Sequence, residues 1–267
     1  MEETIITSVQ NAKIKHVVAL QQKSSLRREE GLFVVEGQRE IEHCKACGYE
    51  VTETFWRKDE GERRKDISSS DILVTSQVYE KMAYRGSTEG VIAVVKCKEH
   101  TLSILNSQLS IKNNPLVVVL ESVEKPGNLG AILRSAEAAG IDALIVCDPL
   151  TDMYNPNVIR ASIGGVFCVP TAVCSSQECI AFLKEHGIKI LTAQLQDSYE
   201  YYDYDMTQGT AIVMGTESTG LTNQWREAAD AHIRIPMLGR LDSLNVSVSA
   251  AILMYEAVRQ RNSKKNV

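Results

Sequence analysis

No run of 18 or more apolar residues occurs in the 267-residue chain, so a membrane-spanning helix is not expected. The N-terminus, MEETIITSVQNAKIK, lacks a charged-then-apolar leader, which makes the cytoplasm the expected location. A net charge of −5 gives the chain no global basic field. The seven cysteines are an odd set, scattered from Cys44 to Cys179 without a disulfide framework, and are expected to be reduced thiols. One close pair, Cys44-x-x-Cys47, falls at a helix end closed by Gly48, with no second ligand pair for zinc, so no metal is expected. Several fingerprints are missing: G-x-G-x-x-G, the Walker A lysine loop, H-E-x-x-H and G-x-S-x-G. Their absence removes the usual signatures of dinucleotide binding, phosphoryl transfer, zinc hydrolysis and esterase chemistry. Internal repeats and low-complexity tracts are absent as well.

What remains is an ordinary globular composition, 44% hydrophobic and 24% charged, in a chain long enough for one large domain or two modest ones. Residues 1–99 alternate short strands and helices, as expected of a small α/β domain. Residues 100–114 carry no strand signal and end in Asn113-Asn114-Pro115, so they are expected to link two domains. From Leu116 onward, near-continuous apolar strands alternate with helices. LVVVL, ALIVC, VFCVP, Ile188–Ala193, AIVMG and HIRIP are the predicted strands, and a long helix runs from Val246 to about Arg261. Strands of this kind predict a parallel sheet covered on both faces over residues 115–267.

Three strings within that second region share one pattern, a strand followed by a polar, glycine-containing loop and a helix. They are PGNLGAILRSAEAAG (Pro126–Gly140), MGTESTGL (Met214–Leu221) and IPMLGRLDSLNVSVSAAI (Ile235–Ile252). In open α/β sheets, ligands bind in the loops beyond the carboxyl ends of strands, so these three loops are expected to wall a single site. Their candidate functional residues are Asn128, Arg134, Glu217, Ser243 and Asn245. None of the five histidines lies in the three loops. Helix capping is the structural alternative for Asn128, Ser243 and Asn245. Arg134, among small and apolar helix residues, suits an anion partner or a phosphate. Elsewhere, Lys13, Lys15, Lys23, Arg27 and Arg28 form a basic stretch free of acids, readable as a phosphate-contacting surface or as a solvated helix face.

These strings resemble the three motifs of the SpoU (TrmH-type) RNA ribose 2′-O-methyltransferases, a branch of the SPOUT superfamily. The likeness runs in order and spacing through residues 115–267. The segment GLFVVEGQREIEHC and the strand RGSTEGVIAVVK resemble the family's substrate-binding domain. The resemblance implies a deep C-terminal trefoil knot, S-adenosyl-L-methionine as cofactor, and a homodimer. By matching position it implies that Gly215, Ile235 and Leu244 touch the cofactor, and that Asn128, Arg134, Glu217, Ser243 and Asn245 form the catalytic set. Arg134 would act either as base or as a clamp on the phosphate beside the target ribose; a guanidinium rarely deprotonates. The implied substrate is structured RNA, ribosomal rather than transfer RNA, with the basic stretch anchoring it.

Overall fold

The computed structural model describes residues 5–58, 71–84, 89–109, 112–216 and 218–263. In chain order the elements are β1 (Ile5–Ile6), α1 (Ala12–Gln22), α2 (Ser24–Glu30), β2 (Leu32–Glu36), α3 (Gln38–Ala46), β3 (Val51–Arg57), β4 (Ile72–Val74), α4 (Ser76–Met82) and β5 (Val91–Lys96). There follow α5 (Leu102–Leu109), β6 (Leu116–Glu121), α6 (Pro126–Ala139), β7 (Ala143–Cys147), α7 (Pro156–Ser162), α8 (Gly165–Cys168), β8 (Thr171–Cys174) and α9 (Ser176–Glu185). The chain closes with β9 (Lys189–Ala193), β10 (Tyr199–Glu200), a 3-10 turn (Tyr201–Asp203), β11 (Thr210–Met214), α10 (Asn223–Ala228), β12 (Ala231–Arg234) and α11 (Val246–Ser263). No helix among the described residues is long and apolar enough to cross a membrane.

Two compact units emerge. The first comprises residues 1–98 with 152–168, and the second comprises 99–151 with 169–267. In the first unit a five-stranded mixed sheet runs β1-β4-β3-β5-β2. Its apolar strand residues, with Ile14, Val17 and Leu20 of α1 and Val78 and Met82 of α4, make one core. The segment 152–168 joins this unit through a buried ion pair: Arg27 Nη2 lies 2.7 Å from Asp152 Oδ2. Tyr154 stacks on Phe33 with ring centroids 4.2 Å apart, a geometry that adds to plain area burial.

The second unit is built on a seven-stranded parallel sheet, β10-β12-β9-β11-β6-β7-β8. Strands β6, β7 and β11 are buried at every position, as sheets covered on both faces require. The strand order is not sequential: β11 inserts between β9 and β6, while β12 lies outside β9. Helix α11 then returns to pack against α6 and β11. Helix α9 opens with a complete capping box between Ser175 and Glu178, which fixes its start with Ser175 alone between it and β8.

One element departs from the sequence expectation. VFCVP is not a strand. Gly165–Cys168 is helical, and β8 begins only at Thr171, after Pro170. A short apolar run does not distinguish strand from buried helix. Here Ile163 at φ 51° and Gly164 at φ 81° break α7, and the chain re-enters helix at once. Residues 100–114, expected to link two domains, contain α5 over 102–109, which buries Leu105 and Leu109 in the core of the second unit. That core also gathers Cys147, Cys174 and Cys179, whose Sγ atoms all lie within 4.8 Å of one another. All seven cysteines are free thiols.

Candidate active site

Helix α6 begins at Pro126, whose fixed φ and missing N–H suit a first helical position. Asn128 therefore lies inside the first turn and not ahead of it, and its capping alternative is displaced. Its Oδ1 accepts a hydrogen bond from Asn245 Nδ2 at 3.1 Å. Asn245 does both things the sequence allowed. Its Oδ1 also accepts from the backbone N of Ser247 at 2.9 Å and the Ser247 hydroxyl at 2.6 Å, capping the first turn of α11. The first and third strings thus meet through one side-chain pair.

The second string makes a tight loop. Thr216 and Gly220 form an antiparallel bridge, with Thr216 N donating to Gly220 O at 3.3 Å and Gly220 N to Thr216 O at 3.1 Å. Thr219 N donates to the Thr216 hydroxyl at 3.1 Å. A Cβ on residue 215 would stand 2.3 Å from the Gly220 carbonyl carbon and oxygen and 2.6 Å from Leu221 N, so only glycine fits. The loop is held from beneath by Glu121, at the end of β6. Its buried carboxylate accepts from Thr222 N at 2.9 Å and from the Thr222 hydroxyl at 2.7 Å. Ser176 bridges Glu121 to the Trp225 indole, which donates to the serine oxygen at 3.0 Å.

Two clefts adjoin at this loop. The larger, about 570 Å³, is lined by Gly215, Thr216, Ile235, Ser243, Leu244 and Asn245, together with Gln194, Arg226 and apolar side chains from β9, β11, β12 and α11. The smaller, about 340 Å³, is lined by Lys125, Asn128 and Ser218, with Val123 and Glu124. Both share Gly215, Thr216 and Val246 as a common wall. The larger volume falls in the range of small-molecule sites, about 300–1,000 Å³. Its wall carries two buried polar atoms with no hydrogen-bond partner among the described residues, Gln194 Oε1 and Arg226 Nε.

A match to the SpoU rRNA Methylase family spans residues 115–255, more than half of the chain. The chain belongs to that family. A second match, to the MRM3-like substrate binding domain, spans residues 11–93. Among relatives, the 23S rRNA (uridine(2479)-2′-O)-methyltransferase of Streptomyces viridochromogenes is 29% identical over 97% of this chain and 93% of its own length. The 23S rRNA (guanosine-2′-O-)-methyltransferase RlmB of Vibrio parahaemolyticus is 36% identical over 72% of this chain and 78% of its own. In structure, the SpoU methyltransferase AviRb from S. viridochromogenes in complex with the cofactor AdoMet superposes with a TM-score of 0.86 at 28% identity. That likeness covers 95% of this chain and 99% of AviRb.

Against the family's three motifs, the structure brings together Asn128, Gly215, Ile235, Ser243, Leu244 and Asn245 around the two clefts. Ser243 is exposed, and among the described residues its hydroxyl donates to Asp242 Oδ1 at 3.4 Å. Arg134 is exposed on α6 without an ion pair or hydrogen bond among the described residues, and it lines neither cleft. Glu217 lies outside the described residues. Lys125, Gln194 and Arg226 were not anticipated. Lys125 directly precedes the first string; Gln194 and Arg226 sit in segments that no motif marks.

The basic stretch needs correction at Arg27. That side chain is 3% exposed. It pairs with Asp152 and donates from Nη1 to the carbonyl oxygens of Leu20 and Gln21 at 2.6 and 3.1 Å. Every face of the guanidinium is committed to the fold, so it does not present itself to a phosphate. The stretch is acid-free only along the sequence. In space, Lys13 pairs with Glu53 and His16 with Glu30. Lys15, Lys23 and Arg28 are exposed without a partner among the described residues.

Proposed function

We propose that the protein transfers a methyl group from S-adenosyl-L-methionine to the 2′-hydroxyl of a ribose in ribosomal RNA. The observation that carries this reading is the pair of adjoining clefts with Gly215, Thr216 and Val246 as their shared wall. In-line transfer between two bound partners depends on placing donor and acceptor side by side, and positioning supplies much of the rate.

The larger cleft suits the cofactor in size and in its apolar lining. When bound, S-adenosylmethionine supplies an electrophilic methyl group on a sulfonium. The chain's own residues then do the positioning. The backbone of the Gly215–Leu221 loop and the segment at Leu244 close over the cofactor. In this reading that loop and the 235–245 segment form the trefoil knot expected of the fold. Lys125 and Asn128 face the smaller cleft, where the acceptor nucleotide fits. Arg134, with five N–H donors and no acceptor, grips the phosphate beside the target ribose and turns the hydroxyl toward the methyl group. Asn245 holds Asn128 in register with the third motif.

The first unit, with exposed Lys15, Lys23 and Arg28, anchors the RNA. Ribosomal RNA is favoured because both curated relatives described above are named for 23S rRNA. They are named for different bases, uridine and guanosine, so the target base does not follow from kinship. The exposed apolar side chains Leu238, Leu241 and Tyr255 are the candidates for a homodimer contact.

The test is methyl transfer from labelled S-adenosylmethionine to ribosomal RNA from cells lacking this chain, read by nucleoside mass spectrometry. A 2′-O-methylated nucleoside that disappears with Arg134→Ala is expected. A methylated base would overturn the reaction, and transfer to transfer RNA alone would overturn the substrate.

A further inference from the structure

Cys147 ends β7 and Cys174 ends β8, and the two are partners in the parallel register, so their side chains leave the same face of the sheet side by side. A third cysteine, Cys179, comes from α9, which packs on β7. The Ser175–Glu178 capping box sets the start of that helix, and with it the place of Cys179 at the end of the first turn. The three Sγ atoms lie within 4.8 Å of one another. Cys147 and Cys179 are buried and Cys174 is half-buried, so the cluster reaches the surface at Cys174. None of the three lines either cleft of the active site. A lone buried cysteine is ordinarily a small apolar side chain. Three sulfurs converging from two strand ends and a helix are instead a preorganised set of soft ligands.

Zinc binds thiolate sulfur at about 2.3 Å, so two sulfurs on one tetrahedral ion stand about 3.8 Å apart. Small rotations of the three side chains reach that spacing. Charge then selects the ion. Three thiolates together carry three negative charges, and Asp148 and Glu178 already place negative charge near Cys174. A divalent cation offsets two of the three thiolate charges and a monovalent cation only one, so a low-polarity interior favours the divalent ion. Hard divalent ions prefer oxygen ligands, which leaves the thiophilic ones. We propose that Cys147, Cys174 and Cys179 bind one thiophilic divalent cation of the zinc class, with a water completing the tetrahedron on the Cys174 side. Binding releases three thiol protons to solvent as three metal–sulfur bonds form, and no electron is transferred. The ion ties the ends of β7 and β8 to α9, a structural cross-link independent of the methyl-transfer reading.

Cobalt(II) is the probe, since thiolate-bound cobalt shows a strong sulfur-to-metal charge-transfer band. The intact chain, reduced and stripped of metal by chelation, is titrated with cobalt(II) in the absence of oxygen and then with zinc. The wild type is expected to develop the band to an endpoint of about one cobalt per chain and to lose it as zinc displaces the cobalt. Cys174→Ala should abolish the band and weaken zinc binding at least about 100-fold, beyond the usual cost of losing a hydrogen bond to a metal ligand. Zinc at about 100 times its Kd should raise the wild-type melting midpoint by about 5–10 °C and leave that of Cys174→Ala unmoved. The metal-free melting midpoint reports whether Cys174→Ala folds, and Cys174→Ser, closer in size, replaces it if not. Another close thiol pair is Cys47 and Cys168, with Sγ atoms 3.1 Å apart. The double variant Cys47→Ser, Cys168→Ser is therefore the control, and it should keep the band. No band in the wild type, a band that survives loss of Cys174, or a band that vanishes in the control overturns the assignment.

Discussion

Asn245 donates from Nδ2 to Asn128 Oδ1 at 3.1 Å, joining the cap of α11 to the first turn of α6 across 117 residues of sequence. The pair couples a side chain lining the smaller cleft to a segment lining the larger one. A double-mutant cycle on kcat/KM with Asn128→Ala and Asn245→Ala should reveal it. Each single change is expected to lower activity, and the double change should cost less than the sum, with a coupling of about 0.5–1.5 kcal/mol. Strictly additive losses would mean that the contact carries no function.

Gly215→Ala forces a Cβ to within 2.3 Å of the Gly220 backbone, which no side-chain rotation can relieve. The loop must open, and both clefts lose their shared wall. We expect loss of cofactor binding, measured by titration, together with a lower melting temperature. An unchanged Kd would show that the loop's closure is not needed for the site.

Glu121 is the anchor beneath that loop. Glu121→Leu keeps approximate volume but leaves Thr222 N–H and its hydroxyl without their acceptor. Chemical denaturation should report a loss of at least about 1–3 kcal/mol, the usual cost of stranding a buried polar group. Full stability would show that the Thr222 groups find other partners.

Arg27 and the exposed cations are separable. Arg27→Met removes the partner of Asp152 inside the first unit and should cost about 3–5 kcal/mol by denaturation. Reversing Lys15, Lys23 and Arg28 to Glu should leave stability nearly unchanged, weaken RNA binding and flatten its salt dependence. Unaltered RNA affinity in the triple variant would make that surface an ordinary solvated face.

Much of the site was readable along the chain because its parts are local. A strand, a loop with a glycine, and a helix start leave their marks within 15 residues, as at Pro126–Gly140 and Met214–Leu221. Arg27 was misread for the converse reason. A charge run shows which residues are basic, while the acid that claims Arg27 lies 125 residues away. Gln194 and Arg226 carry no motif, and they stand out only once burial shows that their polar atoms have no partner. The helix at Gly165–Cys168 was hidden by an apolar run that suits either structure, and its break at Ile163 and Gly164 is a backbone event.

The most direct measurement compares ribosomal RNA from cells that carry this chain with RNA from cells that lack it, mapping sites protected from alkaline cleavage. A ribose 2′-O-methyl group blocks the hydroxyl whose attack breaks the backbone. The account predicts a protected nucleotide that vanishes on deletion, returns with the wild-type chain and does not return with Arg134→Ala. Identical cleavage patterns with and without the chain would contradict it.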